Sequence, residues 1–133
     1  MNRVISTSNG VAYLRIAEGC NNFCTFCAIP YIRGRYRSRP ISEIVSEAKN
    51  IAKSKIKELT IIAQDVSCYG LDLKDGSNIT KLLKALEAIP SIKHIRMLYL
   101  YPSEITDEFI AFMKKSKKVY PYFDIPLQHA SDK

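Results

Sequence analysis

The chain has 133 residues, of which 47% are hydrophobic and 25% are charged, and this balance predicts one globular domain with an apolar core. The composition excludes fibrous and intrinsically disordered classes, and no apolar run approaches the roughly 18 residues of a membrane span, so we expect no membrane partner. The excess of 20 Lys and Arg over 13 Asp and Glu gives a net charge of +7, which makes contact with nucleic acid possible but not required.

The first half of the chain predicts two strands that flank one helix. Residues 11–17 form an apolar run that leads into a cysteine-bearing loop, and residues 58–63 form a second run rich in β-branched side chains. Between them, the apolar residues of segment 41–52 recur at helical spacing, with acidic residues early and lysines late. The predicted order is therefore strand, helix, strand.

The second half repeats this order. Apolar residues at helical spacing predict a helix over 79–89, and Pro90 stops it. A strand over 94–100 follows, then a helix over 105–113 and a fourth strand near 122–125.

The alternation of strands and helices predicts an α/β fold with a parallel sheet. A closed (β/α) barrel needs eight strands and roughly 250 residues, so four strands cannot close one. We therefore expect a partial, open (β/α) barrel.

The most informative feature is a cysteine triplet, Cys20, Cys24 and Cys27, with C-x3-C-x2-C spacing. A cluster of four irons normally takes four thiolates, so three thiolates leave one iron open to a small molecule. We expect no secretory signal before the triplet, because residues 1–10 are polar and lack an apolar stretch. We therefore expect a reducing, cytoplasmic compartment, where thiols are not consumed in disulfides.

A zinc site is the plainest alternative for the same cysteines. Zinc would need a fourth Cys or a His at ligand spacing, and the remaining candidates, Cys68, His94 and His129, lie far along the chain. Cys68 as a fourth cluster ligand would block the open iron, so we interpret it as a core or bystander thiol.

Loops at the carboxyl ends of parallel strands bind ligands, and each such loop here carries unusual residues. Phe26 can pack against a nucleoside base or merely shield a cluster. Gln64 and Asp65 can meet an ammonium group or a ribose hydroxyl, or can cap the local backbone in a turn. The loop 126–131 contains Gln128, the fourth candidate for cofactor contact.

A basic segment, 33–40, alternates arginines with other residues around one tyrosine. Guanidinium groups can grip carboxylates or phosphates. A solvated loop that only positions its neighbours explains the segment as well.

One set of motifs surrounds the cysteines: LRIAEGCN at 14–21, CTFC at 24–27, IP at 29–30, RG at 33–34 and SRP at 38–40. This set closely resembles the radical core of the radical S-adenosylmethionine methylthiotransferase family. A second set comprises QDVS at 64–67, YG at 69–70, YP at 101–102 and YFDIPLQHAS at 122–131. The second set is similar to the RimO branch, whereas the tRNA-modifying MiaB branch tends to have asparagine in place of Asp65.

The resemblance implies that the cysteine triplet holds a 4Fe-4S cluster, that its open iron binds S-adenosylmethionine, and that an electron donor reduces it. It also implies an N-terminal domain with a second 4Fe-4S cluster and a C-terminal TRAM domain. We therefore expect a fragment, in which residues 1–10 are the remnant of an interdomain linker. Residues 11–133 are then the N-terminal portion of the radical SAM core, without the last barrel strands.

The reaction implied by the resemblance adds a methylthio group to the β-carbon of an aspartate in a small-subunit ribosomal protein, and we expect the fragment alone to be inactive. Methylthiolation of a tRNA adenosine is the alternative within the same class. A non-catalytic zinc- or RNA-binding module, which would use the cysteine loop and the arginines, is the alternative from another class.

Overall fold

The computed structural model describes residues 10–127 and residue 131 of the chain. Strands and helices alternate along most of it, as the sequence predicts. In chain order the elements are β1 (Val11–Arg15), β2 (Ala17–Glu18), α1 (Ile29–Arg33), β3 (Arg37–Ser38), α2 (Ile41–Lys53), β4 (Glu58–Ile62), α3 (Ile79–Glu87), β5 (His94–Met97), a 3-10 turn (Pro102–Glu104) and α4 (Asp107–Lys115).

The main sheet has three parallel strands in the order β1-β4-β5. Val11 lies opposite Glu58, and Glu58 lies opposite His94, so the strands start level and their carboxyl ends meet at one edge. The short antiparallel pair of β2 and β3 follows β1 at that edge. Parallel neighbours joined by helical crossovers confirm the predicted α/β fold, and the open sheet agrees with a partial barrel.

Alternate strand residues form the core together with the helices. Leu14, Ile61 and Met97 are aligned across the three strands, and each is fully buried. Helix α2 contributes Ile44 and Ile51 and packs on β1 and on α3, which in turn packs on α4. Each fully buried Leu or Ile side chain stabilises the fold by about 1.5–3 kcal/mol. Within residues 10–127, no helix is both long and apolar enough to cross a membrane.

The predicted fourth strand at 122–125 is wrong, because that segment is not a strand in the structure. The chain meets β5 instead in an isolated parallel bridge between Ile95 and Val119. Pro121 has no N–H to donate to a ladder, and the Tyr122 amide turns back to a carbonyl two residues earlier. The extended conformation is therefore lost before residue 122.

The other predicted strands and helices are confirmed, although all three strands are shorter than expected, β4 by the single residue Ala63. Strand β1 ends at Arg15 instead of Ala17, and β5 ends at Met97 instead of Leu100. Strand β5 stops because Tyr99 has a φ of +62°, which an extended strand does not allow. Neither α1 nor the β2–β3 pair was predicted.

Candidate active site

A cavity of about 440 Å³ lies at the carboxyl ends of the main strands. The cysteine loop forms one wall, the loop after β4 forms a second, and the loop after β5 forms a third, with Pro126 at the side. A cavity of this size accommodates a small molecule or a cofactor. The placement agrees with the rule that parallel sheets bind ligands at this edge.

The three cysteines of the triplet share one wall. Cys20, Cys24 and Cys27 all line the cavity, and all are half-buried free thiols. The structure therefore places the three candidate metal ligands along one wall of the cavity. In the part of the chain that is described, no group of three His, Cys, Asp or Glu side chains is gathered closely enough to hold a metal ion.

Glycine at position 19 allows the cysteine loop to lie against the next segment of chain. Gly19 has a φ of +84°, and a Cβ added there would lie 2.2 Å from the Arg35 carbonyl oxygen and 2.6 Å from that of Gly34. The Cys20 amide then donates a 3.2 Å hydrogen bond to the Gly34 carbonyl. No side chain fits in this contact, so the position of the first cysteine depends on glycine.

The Cys20 thiol lies in surroundings that disfavour its thiolate. Burial raises the pKa of Cys20, and the nearby Asp65, Cys24 and Cys27 raise it further, while a hydrogen bond from the Asn22 amide opposes the shift. A metal ligand must be a thiolate, so binding a cation here releases a proton. The positive charge of the bound metal would offset the cost of burying the thiolate.

Asp65 is 4% exposed, and donors of its own loop engage its carboxylate. Oδ1 accepts hydrogen bonds from the Ser67 amide at 3.0 Å and from the Ser67 hydroxyl, and Oδ2 accepts one from the Cys68 thiol at 3.1 Å. This is the turn-capping arrangement that the sequence left open for Asp65. Cys68 packs against the core, as expected for a bystander thiol.

Gln64 shows the opposite behaviour on the same wall. Its side-chain Oε1 is buried and has no hydrogen-bond partner. Among the described residues, every other buried side-chain nitrogen or oxygen has one. Gln64 lines the cavity. An unsatisfied buried acceptor costs free energy unless a ligand supplies a donor, so this oxygen is a candidate for contact with a ligand.

The third wall begins at a residue with an uncommon backbone conformation. Tyr99 combines a φ of +62° with a half-exposed side chain that lines the cavity. A left-handed conformation costs a non-glycine residue of order 1–2 kcal/mol. Leu100, next in the chain, is fully buried.

Phe26 lies at the cavity rim with 80% of its surface exposed. Near it in the chain, the ring of Phe23 meets Tyr31 edge to face at 6.2 Å, and the Arg35 guanidinium lies 5.0 Å from the Phe23 ring centre. The exposed face of Phe26 remains available for a planar ligand.

Two arginines of the basic segment are used within the protein. Arg33 pairs with Glu18 at 2.9 Å, and Arg39 pairs with Glu43 and Glu47 at 2.7 Å each. Because these two arginines already pair with carboxylates of the protein, the pairs favour a loop that positions its neighbours over a site that binds an anionic ligand.

The sequence model of the Radical SAM superfamily matches residues 14–133. The chain belongs to the radical SAM superfamily. The match includes the cysteine triplet, the loops after β4 and β5, and the core beneath them, so it covers all three walls of the cavity.

Curated relatives of this radical SAM chain are similar over nearly its whole length. The ribosomal protein uS12 methylthiotransferase RimO of Aquifex aeolicus is 53% identical over 131 residues, which cover 98% of this chain and 30% of the relative. The protein of the same name from Clostridium tetani is 52% identical over 130 residues, which cover 98% of this chain and 29% of the relative. The chain thus spans less than a third of the length of these relatives.

A solved radical SAM structure has a similar fold. The S-adenosylmethionine methyltransferase TsrM of Kitasatospora setae, with cobalamin and a 4Fe-4S cluster bound, superposes with a TM-score of 0.67. The identity is 17%, over 92% of this chain and 23% of TsrM. This likeness supports the fold alone.

The sequence of this radical SAM chain did not identify Tyr36 and Asn21 as residues that join the walls of the cavity. The Tyr36 hydroxyl donates a hydrogen bond to the Asp65 carbonyl, and the Tyr36 amide donates one to Asn21 Oδ1. No spacing or motif distinguishes these contacts. The predicted Gln128 and the neighbouring His129 lie outside the described residues.

Proposed function

We propose that this radical SAM domain is part of an enzyme that adds a methylthio group to the β-carbon of an aspartate in a small-subunit ribosomal protein. The supporting observation is identity of 50% to 53%, over 98% of the chain, to relatives named as uS12 methylthiotransferases. The same relatives favour a ribosomal protein over tRNA as the substrate. A ribosomal substrate also supports a cytoplasmic site of action.

In this proposal the whole enzyme is larger than this chain, because the chain spans about 30% of the length of its relatives. We expect residues 11–133 to form the N-terminal part of the radical SAM core, and residues 1–10 to be a linker. A second 4Fe-4S cluster, which the family resemblance implies, would belong to another domain. Residues 1–133 alone are therefore not expected to complete methylthio transfer.

Cys20, Cys24 and Cys27 would hold the 4Fe-4S cluster. The donor set fits, because three soft thiols share one wall and no fourth Cys or His of the described residues lines the cavity. One iron is then left open for the amino and carboxylate groups of S-adenosylmethionine. Held by these thiolates and reduced by an electron donor, the cluster would supply the electron that cleaves the sulfonium of S-adenosylmethionine into methionine and an adenosyl radical, which can remove hydrogen from unactivated carbon.

Gln64 and Asp65 would have different roles toward the nucleotide. Gln64 Oε1 can accept a hydrogen bond from the ammonium group or from a ribose hydroxyl, since it has no partner in the protein. Asp65 would act as a positioning residue, because Ser67 and Cys68 already bind both of its oxygens. Its buried carboxylate fixes the loop that presents Gln64.

Phe26 would complete the binding site at the rim. Its exposed ring can stack on the base of the nucleotide, an interaction that tolerates any planar base. Together, these side chains bind and orient the ligand and limit the access of water.

Anaerobic reconstitution of the chain with iron and sulfide tests the proposal directly. We expect a brown protein whose electron paramagnetic resonance signal, after reduction, changes when S-adenosylmethionine is added. A colourless protein that binds zinc stoichiometrically would contradict the proposal and support the non-catalytic module.

Matched cysteine variants show which thiols are ligands. Cys24→Ala should lose the iron, the sulfide and the signal change, whereas Cys68→Ala should keep them, because Cys68 faces Asp65 and does not line the cavity. Equal iron content in both variants would contradict the assignment of the triplet.

The substrate is tested on the whole enzyme that contains this domain. We expect methylthiolation of a uS12 loop peptide, detected as a mass increase on its aspartate. Modification of an adenosine-containing anticodon stem, with the peptide unmodified, would favour the tRNA alternative.

A further inference from the structure

Three described residues other than glycine have a positive φ: Lys55, Lys74 and Tyr99. The two lysines are exposed and lie in turns away from the cavity. Tyr99 alone among the three lines the cavity. A backbone conformation that disfavours a bulky side chain therefore coincides with the candidate site.

The left-handed backbone changes the direction of the Tyr99 side chain. Side chains two residues apart in a strand share one face, and Met97 lies on the buried face of β5. If the strand continued, Tyr99 would follow Met97 into the core. Instead Leu100 is buried and Tyr99 is 52% exposed at the cavity.

Three hydrogen bonds, two between backbone groups and one to a side-chain carboxylate, hold this conformation in place. The Val66 amide donates to the Tyr99 carbonyl at 2.9 Å, and the Tyr99 amide donates to Asp124 Oδ2 at 3.1 Å. The Leu100 amide donates to the Asp124 carbonyl at 2.9 Å. The conformation is fixed from two other loops, which is how a protein maintains a strained residue.

We propose that Tyr99 is held in the left-handed conformation so that its aromatic ring forms a wall of the cavity and contacts the bound S-adenosylmethionine. The inference rests on the proposed function and deepens it by naming a ligand-contacting residue. An aromatic ring suits this ligand, because it attracts a sulfonium cation and stacks on a base.

A purely structural turn does not account for the choice of tyrosine. Glycine adopts a positive φ without the steric cost, and asparagine tolerates it, so either would serve a turn better. Position 99 carries a large ring, most of it outside the core. The ring therefore requires a role beyond the turn itself.

The Tyr99→Gly substitution distinguishes the effect of the backbone conformation from the effect of the aromatic ring. In the unliganded chain we expect the thermal midpoint to stay within about 2 °C of the wild type or to rise, because glycine relieves the strain. In the anaerobically reconstituted chain, calorimetry should show that the affinity for S-adenosylmethionine falls about tenfold or more relative to the wild type. Tyr99→Phe, which keeps the ring, should restore binding to within about threefold of the wild type.

Lys55→Gly is the matched control, since Lys55 has a φ of +61° and precedes β4 at the opposite edge of the sheet. It should shift the thermal midpoint in the same direction and leave binding unchanged. Wild-type binding by Tyr99→Gly, or equal loss in Tyr99→Phe, would overturn the assignment to the ring. A reconstituted wild type that does not bind S-adenosylmethionine would instead overturn the proposed function itself.

Discussion

The hydroxyl of Tyr36 donates a 2.7 Å hydrogen bond to the backbone carbonyl of Asp65. The backbone amide of the same tyrosine donates to Asn21 Oδ1 at 3.1 Å, so one residue, which is 6% exposed, joins the cysteine loop to the loop after β4. Burial raises the pKa of the Tyr36 hydroxyl, which keeps it protonated and able to donate. The distance between two walls of the cavity therefore depends on this residue.

Tyr36→Phe should weaken the binding of S-adenosylmethionine by the reconstituted chain severalfold. The change removes the hydrogen bond to Asp65 and should also lower the free energy of unfolding by about 1 kcal/mol. Tyr69→Phe is the matched control, because Tyr69 also donates at 2.7 Å to a backbone carbonyl, but its acceptor residue, Arg39, does not line the cavity as Asp65 does. Urea denaturation should show similar losses for both variants, and calorimetry should show weaker binding only for Tyr36→Phe. Equal binding by the two variants would rule out a role for Tyr36 in setting the cavity.

Gly19→Ala should destabilise the chain far more than Gly10→Ala. Both glycines have a positive φ, of +84° and +75°, but a Cβ at Gly10 meets only the Lys55 carbonyl at 3.9 Å. At Gly19 the Cβ would collide with the backbone of Arg35. We expect Gly10→Ala to cost about 1 kcal/mol from its backbone conformation, and Gly19→Ala to cost about 2–3 kcal/mol more. Urea denaturation measures both values, and equal losses would show that the contact relaxes freely.

Gln64→Leu should stabilise the unliganded chain and weaken ligand binding. The substitution removes a buried oxygen that lacks a partner, which should raise the free energy of unfolding by up to about 1 kcal/mol. Loss of an acceptor for a charged donor should weaken the binding of S-adenosylmethionine about tenfold or more. Gln64→Glu keeps the acceptor and should bind well while the unliganded chain becomes less stable. The hypothesis fails if Gln64→Leu binds as tightly as the wild type.

Cys68 should make the stability of the chain fall at alkaline pH. Burial raises the pKa of its thiol above the ordinary value near 9, and the hydrogen bond to Asp65 and the charge of Asp65 raise it further. The folded state thus retains a proton that the unfolded state loses, so the contribution of Cys68 is present below about pH 9 and is lost as pH rises above it. Denaturation at about pH 8 and about pH 10 should show a smaller loss for Cys68→Ser, which keeps a donor to Asp65 but does not titrate there. A loss as large in Cys68→Ser would assign the effect to other groups.

The sequence predicted the parts of the fold that depend on local patterns. Helix α2 forms where Ile44, Ala48 and Ile51 recur at helical spacing, and β4 forms where β-branched residues run together. Helix α4 begins after Thr106, whose hydroxyl oxygen accepts a hydrogen bond from the Phe109 amide. The fourth strand failed because its apolar residues lie beside Pro121, where a missing N–H outweighs strand propensity.

Among the site residues, the sequence distinguished types of chemistry but not partners. It offered Gln64 and Asp65 as equivalent candidates, because both are polar and follow the same strand. Only the folded loop shows that Asp65 is satisfied by Ser67 and Cys68, whereas Gln64 Oε1 is not satisfied.

The sequence by itself determined the candidate metal ligands and the order of the main strands and long helices up to α4, because cysteine spacing and hydrophobic periodicity are properties of neighbouring residues. Only the tertiary structure decided which loops share the cavity, how Tyr36 joins two of them, and where the ring of Tyr99 lies. Those features arise from contacts between residues that are distant in the chain, such as Tyr36 with Asp65 and Tyr99 with Asp124. Backbone angles and hydrogen-bond partners of that kind are fixed by packing, which no local pattern encodes.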